Sequence, residues 1–190
     1  MQIQPSRIPG FYTLRSQVHA DSRGHFIELF RRQQLKESTG FDFDTAQLNS
    51  SLSHAGVLRG FHYKQTPPGQ AKLVVVLSGA IYDVALDLRP NSPTLGEWDG
   101  VRLEAGDGRA ALLQQGLGHA FLALAPNTVI AYLNDTEYEP EIEYAVQPLS
   151  VEVDWAALAE REGITELIVS DRDRSAPTLQ ETLADIASSR

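Results

Sequence analysis

Between roughly residue 43 and residue 153, short apolar runs alternate with clusters of Gly, Pro, Asn, Asp and Ser, the pattern of many strands joined by turns. The clearest segment is KLVVVLSGAIYDVALDLRPNSPTLGEW, from Lys72 to Trp98. After a turn at Ser78-Gly79, Tyr82, Val84, Leu86 and Leu88 share one face while Asp83 and Asp87 take the other. That period of two predicts a half-buried strand, broken by Arg89-Pro-Asn-Ser-Pro93. Further strands are predicted over Val101–Leu103, Ala110–Leu113, Ala120–Leu124, Thr128–Leu133 and Ile142–Val146, at the spacing of an all-β sandwich or barrel.

Helical signals lie outside this block. Phe30–Thr39 ends at Gly40, Asp154 caps Trp155–Glu162 ahead of Gly163, and Thr178 precedes Leu179, Leu183 and Ile186 at helical spacing. The pattern predicts a mainly β chain, one domain over residues 1–190, whose N- and C-terminal arms are of the kind that complete a neighbouring subunit.

Composition narrows the partners. With 42% hydrophobic and 22% charged residues the chain is ordinary globular protein. A net charge of −9 repels a polyphosphate backbone, so nucleic acid is excluded as a partner, while a small anion in a locally basic pocket is not. No basic-then-apolar leader and no long uninterrupted apolar run occurs, which predicts a soluble cytoplasmic protein with no membrane partner. The absence of cysteine excludes disulfides, thiolate catalysis and cysteine-ligated metal.

Candidate chemistry concentrates in GVLRGFHYKQTPPGQAK, residues 56–72, which sets Arg59, His62 and Lys72 between two strand-like segments. Solvated loop charges would read the same way; so would one wall of a pocket that handles an anion and a proton. Gln47 and Asn49 alternate on a predicted strand and face one side.

Five separated motifs settle the choice: DSRGHFIELF (21–30), AQLNSSLSHAGVLRGFHYKQTPPGQAKLV (46–74), DVALDLRPNSPTLGEWDGVRL (83–103), GLGHAFLAL (116–124) and YLNDTEYEPEIE (132–143). A weaker sixth, VSDRDRSAPTL, spans 169–179. Together they resemble the dTDP-4-dehydrorhamnose 3,5-epimerase family, sugar-nucleotide epimerases on a cupin-type jelly-roll β-sandwich with short peripheral helices. The resemblance implies a dTDP-4-keto-6-deoxyhexose substrate whose carbons 3 and 5 flank a ketone. Each is deprotonated to an enolate and reprotonated on the opposite face, without cofactor or metal, because the carbonyl is the electron sink.

It also implies roles. His62 matches the base, Lys72 the group that stabilises the enolate oxygen, and Tyr132 the proton donor. Asp173 aligns with the aspartate that holds the base, with Asp171 the alternative two residues away. Arg23 and Arg59 suit the diphosphate, since guanidinium groups make several directed hydrogen bonds. Gln47, Asn49, Glu28, His119, Glu143 and Arg172 match further ligand-contact positions, and Tyr138 shapes the pocket. Phe26 is an aromatic neighbour of base or sugar, or a packing residue. A homodimer with exchanged N-terminal strands would let Arg23 and Glu28 serve the neighbouring pocket. His19, His25 and His54 read as solvated.

Three rivals remain. A metal-dependent cupin commonly begins its ligand set with two histidines one residue apart, and Phe61-His62-Tyr63 lacks the second. A non-catalytic sugar-nucleotide-binding module would keep the arginines and lose the base or the acid. An epimerase of carbon 3 or carbon 5 alone shares every motif.

Overall fold

Leu73, Val74, Val75 and Val76 are apolar at consecutive positions, as in a strand covered on both faces. The computed structural model describes residues 1–188, and the covering layers are built as follows. In chain order the strands are β1 (Gln2–Pro5), β2 (Phe11–Arg15), β3 (Val18–Asp21), β4 (Gly24–Ile27), β5 (Gln47–Ser53), β6 (Val57–Lys64), β7 (Lys72–Ser78), β8 (Ala80–Asp87), β9 (Trp98–Glu104), β10 (Arg109–Leu113), β11 (Leu117–Ala123), β12 (Thr128–Asn134), β13 (Glu143–Ala145) and β14 (Ile168–Val169). The helices are α1 (Arg32–Thr39), α2 (Trp155–Arg161), α3 (Asp171–Arg174) and α4 (Leu179–Ser188).

One sheet runs β1-β2-β10-β7-β12-β5, and the other β13-β6-β11-β8-β9 with β14 parallel to β6. Between them pack Phe11, Val74, Val76, Ile81, Phe121 and Ile130. The far side of the first sheet sets Leu14, Leu73 and Val75 against Leu35 of α1 and Phe43. The far side of the second sets Leu58, Phe61, Val84 and Leu86 against Trp155 and Ala159 of α2.

This double cover corrects the half-buried reading of β8. Val84, Leu86 and Leu88 pack on the outer cluster, but Asp83 and Asp87 are fully buried as well. Buried carboxylates persist only where hydrogen bonds replace lost water. Asp87 accepts from Arg89, Ser92 and Thr94, closing the turn after β8, and these bonds hold its carboxyl at about 2 against the upward push of burial.

The helix ends follow the sequence signals. Gly40 closes α1 at φ 72°, the Asp154 side chain accepts from the Ala157 N–H, and Thr178 and Glu181 exchange bonds at the start of α4. The N-terminal arm divides: β1 and β2 join the first sheet, while the β3–β4 hairpin is exposed at every residue except the half-buried Ile27. The edge strand β5 exposes Leu48 and Leu52, and Leu77 on β7 is exposed too.

Candidate active site

Arg59 and His62 are three residues apart, so on a regular strand they would face opposite ways. A β-bulge in β6 removes that conflict. His62 lies opposite His119 and Arg59 opposite Phe121, so one extra residue of β6 is accommodated between these pairs. Gly60 sits in this interval at φ 109°, and a Cβ there would lie 2.3 Å from the His119 carbonyl oxygen. Only glycine meets both demands. Phe61 therefore enters the outer core while Arg59 and His62 both turn to the space between the sheets.

That space is a cavity of about 270 Å³. The first sheet contributes Asn49 and Ser51 from β5, Lys72 from β7, and Tyr132 and Asn134 from β12. The second contributes Arg59 and His62 from β6, His119 and Phe121 from β11, and Glu143 from β13. His62 and Tyr132 thus stand on opposing walls. The buried Gln70 and the exposed Tyr138, Tyr144 and Arg172 complete the lining.

His62 Nε2 lies 2.7 Å from Asp173 Oδ1, so Asp173 rather than Asp171 makes the contact. Asp173 is buried, and its other oxygen accepts the Gly60 N–H at 3.3 Å. Burial pushes this carboxyl up, but hydrogen bonds from His62 and Gly60 outweigh it and hold the group below the ordinary aspartate range. An ionised Asp173 can only accept, which assigns the proton to Nε2 and leaves Nδ1 with a free lone pair. A second pair stands beside the first: His119 Nε2 lies 2.6 Å from Asp83 Oδ1. The His62 side chain is 37% exposed and that of His119 8%, so His62 is the more accessible to a ligand.

Lys72 is 6% exposed and donates to Gln70 Oε1 at 2.8 Å. Burial lowers its ammonium from 10.5 to about 8, with Glu143 and Asp135 opposing and Lys64 reinforcing the shift. Burial raises the Tyr132 phenol above its ordinary value, so it carries its proton at neutral pH. Ser51 Oγ, Asn134 Oδ1 and Glu143 Oε1 are buried cavity atoms with no hydrogen-bond partner among the described residues. Groups of that kind are suited to a polar ligand.

Comparison with known proteins matches residues 5–181 to the model of the dTDP-4-dehydrorhamnose 3,5-epimerase family. The chain belongs to this family. The dTDP-4-dehydrorhamnose 3,5-epimerase of Mycolicibacterium smegmatis is 42% identical, over 93% of this chain and 85% of that protein. A dTDP-4-dehydro-6-deoxyglucose 3-epimerase from a Streptomyces species is 41% identical, over 93% and 88%. Among solved structures, the rmlC epimerase of Mycobacterium tuberculosis superposes with a TM-score of 0.90 at 37% identity, covering 97% of this chain and 92% of that one. The mainly β, cupin-type fold expected from the motifs is thus the fold of this epimerase-family chain.

Arg23, Phe26 and Glu28 do not line this chain's cavity, because they lie on the exposed β3–β4 hairpin or just after it. Arg23, with 87% of its side chain exposed, folds back on Asp21; Glu28 pairs with Arg31; Phe26 is exposed beside His19. Gln47 stands behind the lining, donating to Asn49 Oδ1 and accepting the Tyr138 N–H. Asp83, Gln70, Ser51, Asn134, Phe121 and Tyr144 were missed. For Ser51 and Asn134 a signal existed, since each continues the period of two from Asn49 and Tyr132.

Proposed function

We propose that the chain is a 3,5-epimerase of a dTDP-4-keto-6-deoxyhexose, an isomerase of the dTDP-4-dehydrorhamnose type. The observation that carries this reading is the aspartate-held His62 facing Tyr132 across one cavity, with the buried Lys72 on the same sheet as Tyr132. His62 Nδ1 takes the proton from carbon 3 or carbon 5, and the C–H electron pair moves into the ketone to give an enolate. The Lys72 ammonium stabilises that oxyanion in a site of low dielectric. The Tyr132 hydroxyl returns a proton to the carbon from the other wall, and solvent restores both side chains. Because the carbonyl accepts the electron pair, no cofactor enters any step.

Arg59 and Arg172 take the diphosphate, and Asn49, His119 and Glu143 hold polar atoms of the ligand. Arg23, Glu28 and Phe26 serve the cavity of a second copy in a homodimer with exchanged N-terminal strands. The projecting hairpin and the exposed Leu48, Leu52 and Leu77 support that assembly. We assign the protein to the cytoplasm and read residues 1–190 as one domain; no described helix is long and apolar enough to cross a membrane.

The test is proton exchange in heavy water, followed by NMR on dTDP-4-keto-6-deoxyglucose. Deuterium is expected at both carbons 3 and 5, with inversion at each. Incorporation at carbon 3 alone would make the chain a 3-epimerase like its Streptomyces relative, and none at either carbon would overturn the reading.

Lys72 supplies a further prediction. The ammonium is the active form, so kcat/KM, which reports groups of the free enzyme, is expected to fall as pH rises through about 8. For stability the sign is opposite to that of an ordinary paired lysine. Between about 8 and 10.5 the unfolded chain binds the extra proton, so stability increases with pH across that window. Below it the buried charge costs about 3 kcal/mol. Lys72→Met is expected to unfold at higher temperature than the wild type at pH 7 while losing most activity. A variant less stable than the wild type would show that the ammonium's partners outweigh its desolvation.

A further inference from the structure

Lys64 lies two residues beyond His62 on β6, is 1% exposed, and takes no part in the steps above. A buried ammonium persists only where directed partners offset its lost hydration, and among the described residues the partners of the Lys64 ammonium lie on one segment. Its Nζ donates to Thr136 Oγ1 at 3.3 Å, to the Glu137 carbonyl at 3.0 Å and to Glu139 Oε1 at 2.6 Å. The same segment carries Tyr138 to the cavity, where the Tyr138 N–H donates to Gln47 Oε1 at 2.7 Å. It also reaches Lys72. Gln70 Nε2 donates to the Thr136 carbonyl at 3.0 Å and to its Oγ1 at 3.3 Å, while Gln70 Oε1 accepts from Lys72 Nζ at 2.8 Å.

We propose that Lys64 is a positioning residue: it straps the Thr136–Glu139 segment so that Tyr138 stands at the cavity, and through Thr136 and Gln70 it fixes the direction of the Lys72 ammonium. The Lys72 half of this inference rests on the epimerase reading, whereas the strap stands on geometry alone. Charge couples the two lysines as well. Glu143 and Asp135 favour the Lys72 ammonium and Lys64 opposes it, in a cavity also lined by Arg59, His62, His119, Tyr132 and Arg172. Removing the Lys64 charge leaves the two carboxylates less opposed, so the Lys72 proton is held to higher pH.

The test compares Lys64→Met, of similar length and no charge, with Thr136→Val, which removes the hydroxyl shared by Lys64 and Gln70, leaves the Thr136 carbonyl bond to Gln70, and keeps both charges. Backbone hydrogen exchange is read over residues 135–139 in the free protein, and KM and kcat/KM against pH in the presence of substrate. Lys64→Met is expected to speed exchange of 135–139 about tenfold with β7 unchanged, to raise KM about tenfold, and to move the basic limb of kcat/KM upward. Thr136→Val is expected to raise KM several-fold with the limb at its wild-type pH. Wild-type protection of 135–139 in Lys64→Met, or a limb that does not move, overturns the proposal. Should Lys64→Met fail to fold, Glu139→Leu decides: it removes the 2.6 Å partner of Lys64 Nζ at an exposed position, and wild-type protection of 135–139 there overturns the strap. A wild-type protein that exchanges no substrate proton sinks the epimerase reading instead, and the protection of 135–139 still judges the strap.

Discussion

His62→Ala is expected to reduce deuterium entry at both carbons by about 10³-fold or more, the range for loss of a positioned general base. Binding of dTDP is expected to change little, because the substitution leaves Arg59 and Arg172, the proposed diphosphate ligands, in place. The prediction is sharp because the cavity holds two histidine–aspartate pairs, and either could be the base. His62 is the choice on geometry. Its side chain is 37% exposed against 8% for His119, whereas both rings direct Nε2 to an aspartate. Asp173 is buried and held ionised by its hydrogen bonds, so it can stabilise the imidazolium that forms after proton transfer. The same exchange experiment on His119→Ala supplies the contrast, with a smaller loss that falls mainly on KM. If His62→Ala exchanges as fast as the wild type and His119→Ala does not, the roles of the two pairs are reversed.

The strands were legible because their alternation and turn residues are local properties. Ala110–Leu113 and Thr128–Leu133 were read close to the observed β10 and β12. The burial of β8 was not, since a strand covered twice with aspartates on its inner face has the same alternation as one lying on water. The chemistry of His62 and Lys72, and Asp173 as the partner of His62, could be named through the family resemblance, but residue spacing alone does not give their convergence. The bulge at Gly60 breaks the parity by which faces are counted, and the His62–Asp173 contact spans 111 positions. The His119–Asp83 pair escaped for a related reason: Phe121 opposite Asp83 and Ala85 opposite His119 show that these partners lie diagonally across two strands. Arg23 and Glu28 lie outside this chain's cavity, and no local pattern in the sequence places the β3–β4 hairpin against it or away from it.

Tyr132→Phe is expected to separate exchange from inversion. Phenylalanine keeps the ring, which packs at the inner core between the neighbouring positions Asn49 on β5 and Val74 on β7, so the fold is retained. Only the hydroxyl is lost. His62 can still remove a proton, exchange it with solvent and return deuterium to the face it came from, and Lys72 still stabilises the enolate. Deuterium should therefore enter carbon 3 at a rate within about tenfold of the wild type, while inversion falls by about 10²–10³-fold, the usual worth of a positioned general acid. Burial raises the phenol above its ordinary value, so the wild-type donor stays protonated across the neutral range and the effect should not depend on pH there. Inversion at the wild-type rate would assign the acid to another group on that wall or to water. Loss of exchange and inversion together would mean that the hydroxyl acts before the enolate forms, as a ligand of the ketone beside Lys72.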